Sequence, residues 1–156
     1  MEPERKVEMF DRFRDGFFEW ILPLNGARLT QARRVKVLCE ASSHRADSPQ
    51  TDDDVYPTTL QIFLNDIRVY EGVLRNHPHD ARGVLSYLRG GVGAYGYLVH
   101  AFSENDAIAQ IARGVESDAL RLRCAMPADA LARGGLTIYG AECGRYPVSP
   151  TVIIDW

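Results

Sequence analysis

A chain of 156 residues is the size of one domain and can bury roughly two thirds of the surface it would expose unfolded, so it needs neither a staple nor a metal merely to fold. Its 46% hydrophobic and 25% charged residues exclude a disordered chain and predict a packed core. The formal net charge of −3 gives no positive field to draw in a phosphate backbone, which sets nucleic acid aside as a partner.

The pairs Arg33/Arg34 and Arg121/Arg123 resemble a basic patch, but alternation along a strand places such residues on a wet face. Three cysteines, Cys39, Cys124 and Cys143, are an odd number without CxxC spacing. That argues against a disulfide framework or a cysteine zinc site and predicts a reducing, cytoplasmic setting. Met1-Glu2-Pro3-Glu4-Arg5 is not a basic region leading into an apolar stretch, so no signal peptide is expected there. The longest apolar run, 95–102, is interrupted by His100 and is too short to cross a bilayer, so no membrane partner is expected.

Residues 1–15 read as a lead-in in which Met9, Phe10 and Phe13 are spaced for a helical turn or an irregular arm; the domain proper is 16–156. Residues 16–24 are an aromatic and aliphatic run that reads as a strand, with Asn25-Gly26 as its turn. Over 34–41 the alternation predicts Val35, Val37 and Cys39 inside, with Arg34, Lys36 and Glu40 outside. Residues 42–57 are rich in turn formers and predict a long surface loop, of the kind that tends to serve function. Leu60, Ile62 and Leu64 then alternate with polar or aromatic neighbours. Asn65-Asp66 supplies a tight turn, and 67–70 returns as a hairpin.

The segment 84–88 and the uncharged aromatic run 95–99 read as strands on either side of a glycine-rich loop, with Tyr95, Tyr97 and Val99 sharing a face. Residues 107–112 are predicted as a strand or a single turn. Ile108 and Ile111 have helical spacing, but the segment is short and Gly114 follows. Leu120, Leu122 and Cys124 alternate inward against Arg121 and Arg123, and 136–139 and 151–156 complete the set. About eight short strands with no long amphipathic helix between them predict an all-β antiparallel sandwich of the jelly-roll type.

The densest polar and aromatic cluster is Asn76-His77-Pro78-His79-Asp80-Ala81-Arg82-Gly83, followed by Ser86-Tyr87 and by Tyr95 and Tyr97. A sugar site needs planar hydrogen-bonding groups for hydroxyls and an aromatic face for the C–H side of the ring. The residues that offer both are His79, Asp80, Arg82, Tyr87, Tyr95 and Tyr97. Against this stands a structural alternative, in which Asp80 and Arg82 brace a loop and the tyrosines fill the core. His77 and His79 have a spacing found in metal sites, but Pro78 weakens the geometry and the further ligands, His44, His100, Glu142 or Cys143, are distant. Asp52-Asp53-Asp54 with Asp47 offers oxygen ligands to calcium without the interleaving of an EF-hand, and reads better as a solvated acidic loop. Neither a nucleophile elbow nor a pair of carboxylates spaced for glycoside cleavage is present. Trp20 and Trp156 are candidate sugar platforms, although strand tryptophans are more often core.

Several stretches resemble the jelly-roll, galactose-binding-like domains that accompany bacterial family two type glycoside hydrolases. These are Tyr56-Pro57-Thr58 leading to Leu64-Asn65-Asp66, residues 77–88 and 93–97, and Gly134-Gly135-Leu136-Thr137-Ile138-Tyr139-Gly140 with Gly144-Arg145-Tyr146-Pro147. The resemblance implies a β-sandwich beside a sugar-active catalytic domain or chain, with carbohydrate as ligand; no ligand residues are carried over from the family. The expected function is a non-catalytic carbohydrate-binding or carbohydrate-associated module without a cofactor. The alternatives are a structural or oligomerisation subunit of a sugar-active enzyme, and a metal-dependent enzyme using His77 and His79.

Overall fold

The computed structural model describes residues 6–8, 16–44, 57–74, 97–116, 118–127, 135–140 and 149–156. In chain order the elements are β1 (Lys6–Glu8), β2 (Gly16–Pro23), a 3-10 turn (Leu29–Gln31), β3 (Arg34–His44), β4 (Thr58–Leu64), β5 (Ile67–Leu74), β6 (Tyr97–Glu104), α1 (Asp106–Arg113), β7 (Ala119–Met126), β8 (Gly135–Ile138) and β9 (Thr151–Asp155). They form two antiparallel sheets. The first runs β1-β2-β7-β4-β5; the second runs β6-β3-β8, with β9 also paired to β3.

The order 1-2-7-4-5 facing 6-3-8/9 means that the chain stays within a sheet from β1 to β2, from β4 to β5 and from β8 to β9, and changes sheets at the other five connections. This is the winding of a jelly roll. Within the lead-in, Lys6–Glu8 pairs with β2 as a short strand, opposite Phe17, Phe18 and Glu19.

The pleat accounts for the strands one by one. On β4 the burial alternates strictly from Thr58 to Leu64, and on β7 Leu120, Leu122 and Cys124 are buried while Arg121 and Arg123 point outward. On β3, Val35, Val37, Cys39 and Ala41 face the first sheet. These residues and Leu60, Ile62, Leu64, Val99 and Ala101 make one continuous interior, sealed at its margin by Trp20, Leu22, Val152 and Ile154. In the interior the thiols of Cys39 and Cys124, both free, come from facing sheets and hydrogen-bond to one another.

Turn chemistry fixes one end of the sandwich. Asn25 and Gly26 have φ of 53° and 78°, Ala27 N–H donates to Leu24 C=O at 3.0 Å, and Asn65 and Asp66 have φ of 47° and 66°. Both are turns with two left-handed central residues, whose twist matches that of paired strands. The Asn65 side chain goes further: Nδ2 donates to Ile111 C=O at 2.9 Å and Oδ1 accepts from Arg121 N–H at 2.8 Å.

Residues 106–113 correct the expectation of a strand or single turn, for α1 is a two-turn helix. Ile108 and Ile111 are its buried stripe, alanines supply helix propensity, and Asp106 and Arg113 sit at the ends that the helix dipole favours. The helix packs against the 3-10 turn, β5 and β6, closing this end of the core.

Glu40 corrects a second expectation. Alternation places it on the outer face of β3, yet it is fully buried. Its neighbour across the sheet, Tyr139, is buried too and donates its N–H to Glu40 C=O at 2.9 Å. At Glu40, therefore, the outer face of β3 is covered. Period-two patterning reports which face a residue takes, and says nothing of what later covers that face.

Candidate functional site

The registers sort the connections by end. His44 pairs with Gly135, Ala41 with Tyr97, Thr58 with Leu74, and Gly16 with Met126. The connections 45–56, 75–96 and 127–134 thus all begin and finish at one end of the sandwich, opposite the tight turns and α1. Rigid strands below and long polar connections above are the usual arrangement for recognition on a β-sandwich.

Of the six residues predicted to contact sugar, Tyr97 alone lies among the described residues; His79, Asp80, Arg82, Tyr87 and Tyr95 lie outside them, as do His77 and Asp52-Asp53-Asp54. Tyr97 opens β6 opposite Ala41, half-buried, with its ring against the interior on the same side as Val99. It stands at the root of the 75–96 connection.

Two residues that the sequence did not mark as buried lie at this end, and one of them, Ser43, corrects the expectation of a surface loop from 42, because β3 runs on to His44. Ser43, from β3, and Thr58, from β4, are fully buried on the inner faces of opposite sheets, and among the described residues neither Ser43 Oγ nor Thr58 Oγ1 has a hydrogen-bond partner. A buried hydroxyl left unpaired costs about 1–3 kcal/mol, and such groups in folded proteins call for a reason. Serine and threonine in a polar stretch leave no sequence signal of burial; their position one pleat beyond Ala41 and Leu60 is the one clue.

The outer face of the first sheet is laced with its own charges. Arg123 lies over the Phe63 ring, 4.9 Å from its centroid, and over that of Phe17 at 5.8 Å. Asp66 accepts from Arg123 at 3.2 Å and from Arg121, while Glu71 accepts from Arg68 and Gln61 at 2.6 Å each. Cations and carboxylates there satisfy one another, so among the described residues the face holds no unspent charge for a ligand.

The outer face of the second sheet differs. Phe102 is 52% exposed and Ile153 37% exposed, with Lys36 between them in one row across β6, β3 and β9. Lys36 Nζ lies 5.4 Å from the Phe102 centroid, and Arg34 bonds Glu104 at 2.6 Å beside it.

Among the described residues no three His, Cys, Asp or Glu side chains come close enough to hold a metal ion, and no helix is long and apolar enough to cross a membrane. Within and beside the core the fold displaces the proton affinity of Tyr70 and of Cys124. Tyr70 is pushed up by burial and then by Cys39, and Cys124 is pushed well up by its hydrogen bond to Cys39, then by burial. No protein-family model matches the chain, and no curated protein or solved structure matches it either.

Proposed function

We propose that the chain is a non-catalytic β-sandwich module that binds carbohydrate beside a glycoside hydrolase domain or chain. The observation that supports this reading is the convergence of connections 45–56, 75–96 and 127–134 at one end of a rigid two-sheet frame. The connection from β5 to β6 carries His79, Asp80, Arg82, Tyr87 and Tyr95, the planar polar and aromatic groups that a sugar ring requires. Glycan-array screening followed by calorimetry tests it. Saturable binding at millimolar concentration or tighter is expected, reduced at least tenfold by the combined changes Asp80→Ala, Arg82→Ala and Tyr87→Ala. Binding of no glycan, or binding untouched by those changes, overturns it.

The exposed row of Phe102, Lys36 and Ile153 favours a second reading, a structural or oligomerisation domain that rests this sheet on a partner. Solution mass and co-purification with a larger catalytic chain separate the two. A Phe102→Asp variant would lose a partner held by this face and would leave a sugar site at the connections intact.

A further inference from the structure

At the end of the sandwich opposite the long connections lies an open hollow of about 400 Å³, lined by Gly26, Ala27, Arg28, Gln31 and Trp156. Its volume suits one small ring rather than a chain of them. Trp156 is 50% exposed, so that its indole is open to a ligand, and Arg28 and Gln31 are exposed beside it. Among the described residues no carboxylate pairs with the Arg28 guanidinium, whereas the arginines of the β7 face, Arg121 and Arg123, are both engaged.

The walls are held in place from below. Asp118 accepts Gly26 N–H on Oδ2 at 2.7 Å, and its own carbonyl accepts Leu24 N–H at 2.8 Å, which pins the turn at two points. Arg28 C=O accepts Gln31 N–H at 2.9 Å, and Leu29 between them is buried in the core, so the backbones carrying the two polar side chains keep a fixed spacing. On the third side, Arg33 N–H donates to Asp155 C=O at 2.8 Å and β9 is paired to β3 up to Asp155, immediately before Trp156. The backbone on each side is thus tied before a ligand arrives, on the third side up to Asp155, which limits what is lost on binding.

From this arrangement we infer that the hollow is a binding site for a carboxylated pyranose, a uronate. The indole of Trp156 covers the C–H face of the ring, Arg28 takes the carboxylate through its paired N–H groups, and Gln31 serves a hydroxyl with an amide that both donates and accepts. A neutral sugar would leave Arg28 without a partner, and a simple aromatic acid would leave Gln31 idle. This site is distinct from the connections at the other end and does not depend on them.

The experiment uses glucuronate, with glucose and benzoate as comparison probes. Binding is followed through the indole N–H signals of Trp20 and Trp156 in a proton–nitrogen correlation spectrum. Trp20 packs against the core and serves as the internal reference. Expected is a saturable shift of Trp156 by glucuronate at roughly millimolar concentration, with glucose and benzoate each at least fivefold weaker. Arg28→Met is expected to remove the preference for glucuronate over glucose, and Gln31→Ala to weaken glucuronate severalfold. Both residues are exposed, and the unchanged Trp20 signal reports that the fold survives. No saturable shift, equal binding of glucose, tighter binding of benzoate, or an Arg28→Met variant that keeps the preference each overturns the inference. Changes at Asp80, Arg82 and Tyr87 leave this binding as it is, so the failure of one site is distinguishable from the failure of the other.

Discussion

Cys39 and Cys124 meet thiol to thiol across the interior, one from each sheet, both essentially inaccessible to solvent. The hydrogen bond to Cys39 and the loss of water hold Cys124 in its neutral form, and its pKa lies well above that of a free thiol. A nucleophile kept protonated and out of reach is inert. Iodoacetamide at neutral pH is expected to modify neither residue in the folded protein and both in denaturant, as read by peptide mass.

The same displacement makes stability depend on pH. The folded pKa of Cys124 is raised above its unfolded value, so the contribution is whole below the ordinary thiol pKa of about 8.5 and is lost as pH rises, because only the unfolded chain ionises freely. Tyr70, raised by burial, adds to the decline at higher pH. The urea midpoint is expected to fall between pH 8 and pH 10.5, and more steeply in the wild type than in Cys124→Ala. A flat profile would contradict this.

Leu122 sits in the middle of β7, fully buried, with Trp20 opposite it on β2 and Leu64 on β4. Three strands would have to move to refill the space it leaves. Leu122→Ala is expected to cost about 2–5 kcal/mol in urea unfolding, the range for a buried leucine in a site unable to collapse.

Asn65 carries the turn, the helix and β7 at once through its left-handed φ of 47° and two side-chain bonds. Asn65→Ala would strand Arg121 N–H, at about 1–3 kcal/mol, would leave Ile111 C=O with Gly114 N–H as its donor at 3.1 Å, and would place an alanine in an unfavourable backbone region. Gly114→Ala is expected to destabilise through the same residue, since a Cβ there would come within 2.8 Å of Asn65 Cβ. Thermal melts of both variants check this.

Arg121 and Arg123 look alike in sequence and are expected to differ on removal. Arg121 makes ion pairs at an exposed surface, to Asp66 and, at 3.9 Å, to Glu19, so Arg121→Ala should cost no more than about 1 kcal/mol. Arg123 adds two aromatic faces, and Arg123→Ala should cost about 1–2 kcal/mol, only partly restored by lysine, which lacks the flat guanidinium. Equal losses would show that the stacking adds nothing.

Much of the frame was legible because strand periodicity is local. Val35-Val37-Cys39, Leu60-Ile62-Leu64 and Leu120-Leu122-Cys124 each declare a buried face within a few residues, and Asn25-Gly26 and Asn65-Asp66 announce their turns by residue type. What escaped is non-local. Ile108 and Ile111 fit either a strand or a helix in so short a segment, and it was packing on the 3-10 turn that decided. Glu40 reads as wet until the chain returns to cover it, and the burial of Ser43 and Thr58 follows from two sheets closing at one level. Arg28 and Trp156 lie far apart in the sequence, and nothing in either neighbourhood foretells that they line one hollow.

The segregation of tight turns to one end and long connections to the other has a consequence for engineering. Randomised libraries or inserted peptides at positions 45–56 or 127–134 should be displayed without loss of folding, as on an antibody-like scaffold. The same insertions between Asn65 and Asp66 should yield insoluble protein, because there the strand register and the anchoring of the helix are written into a single residue.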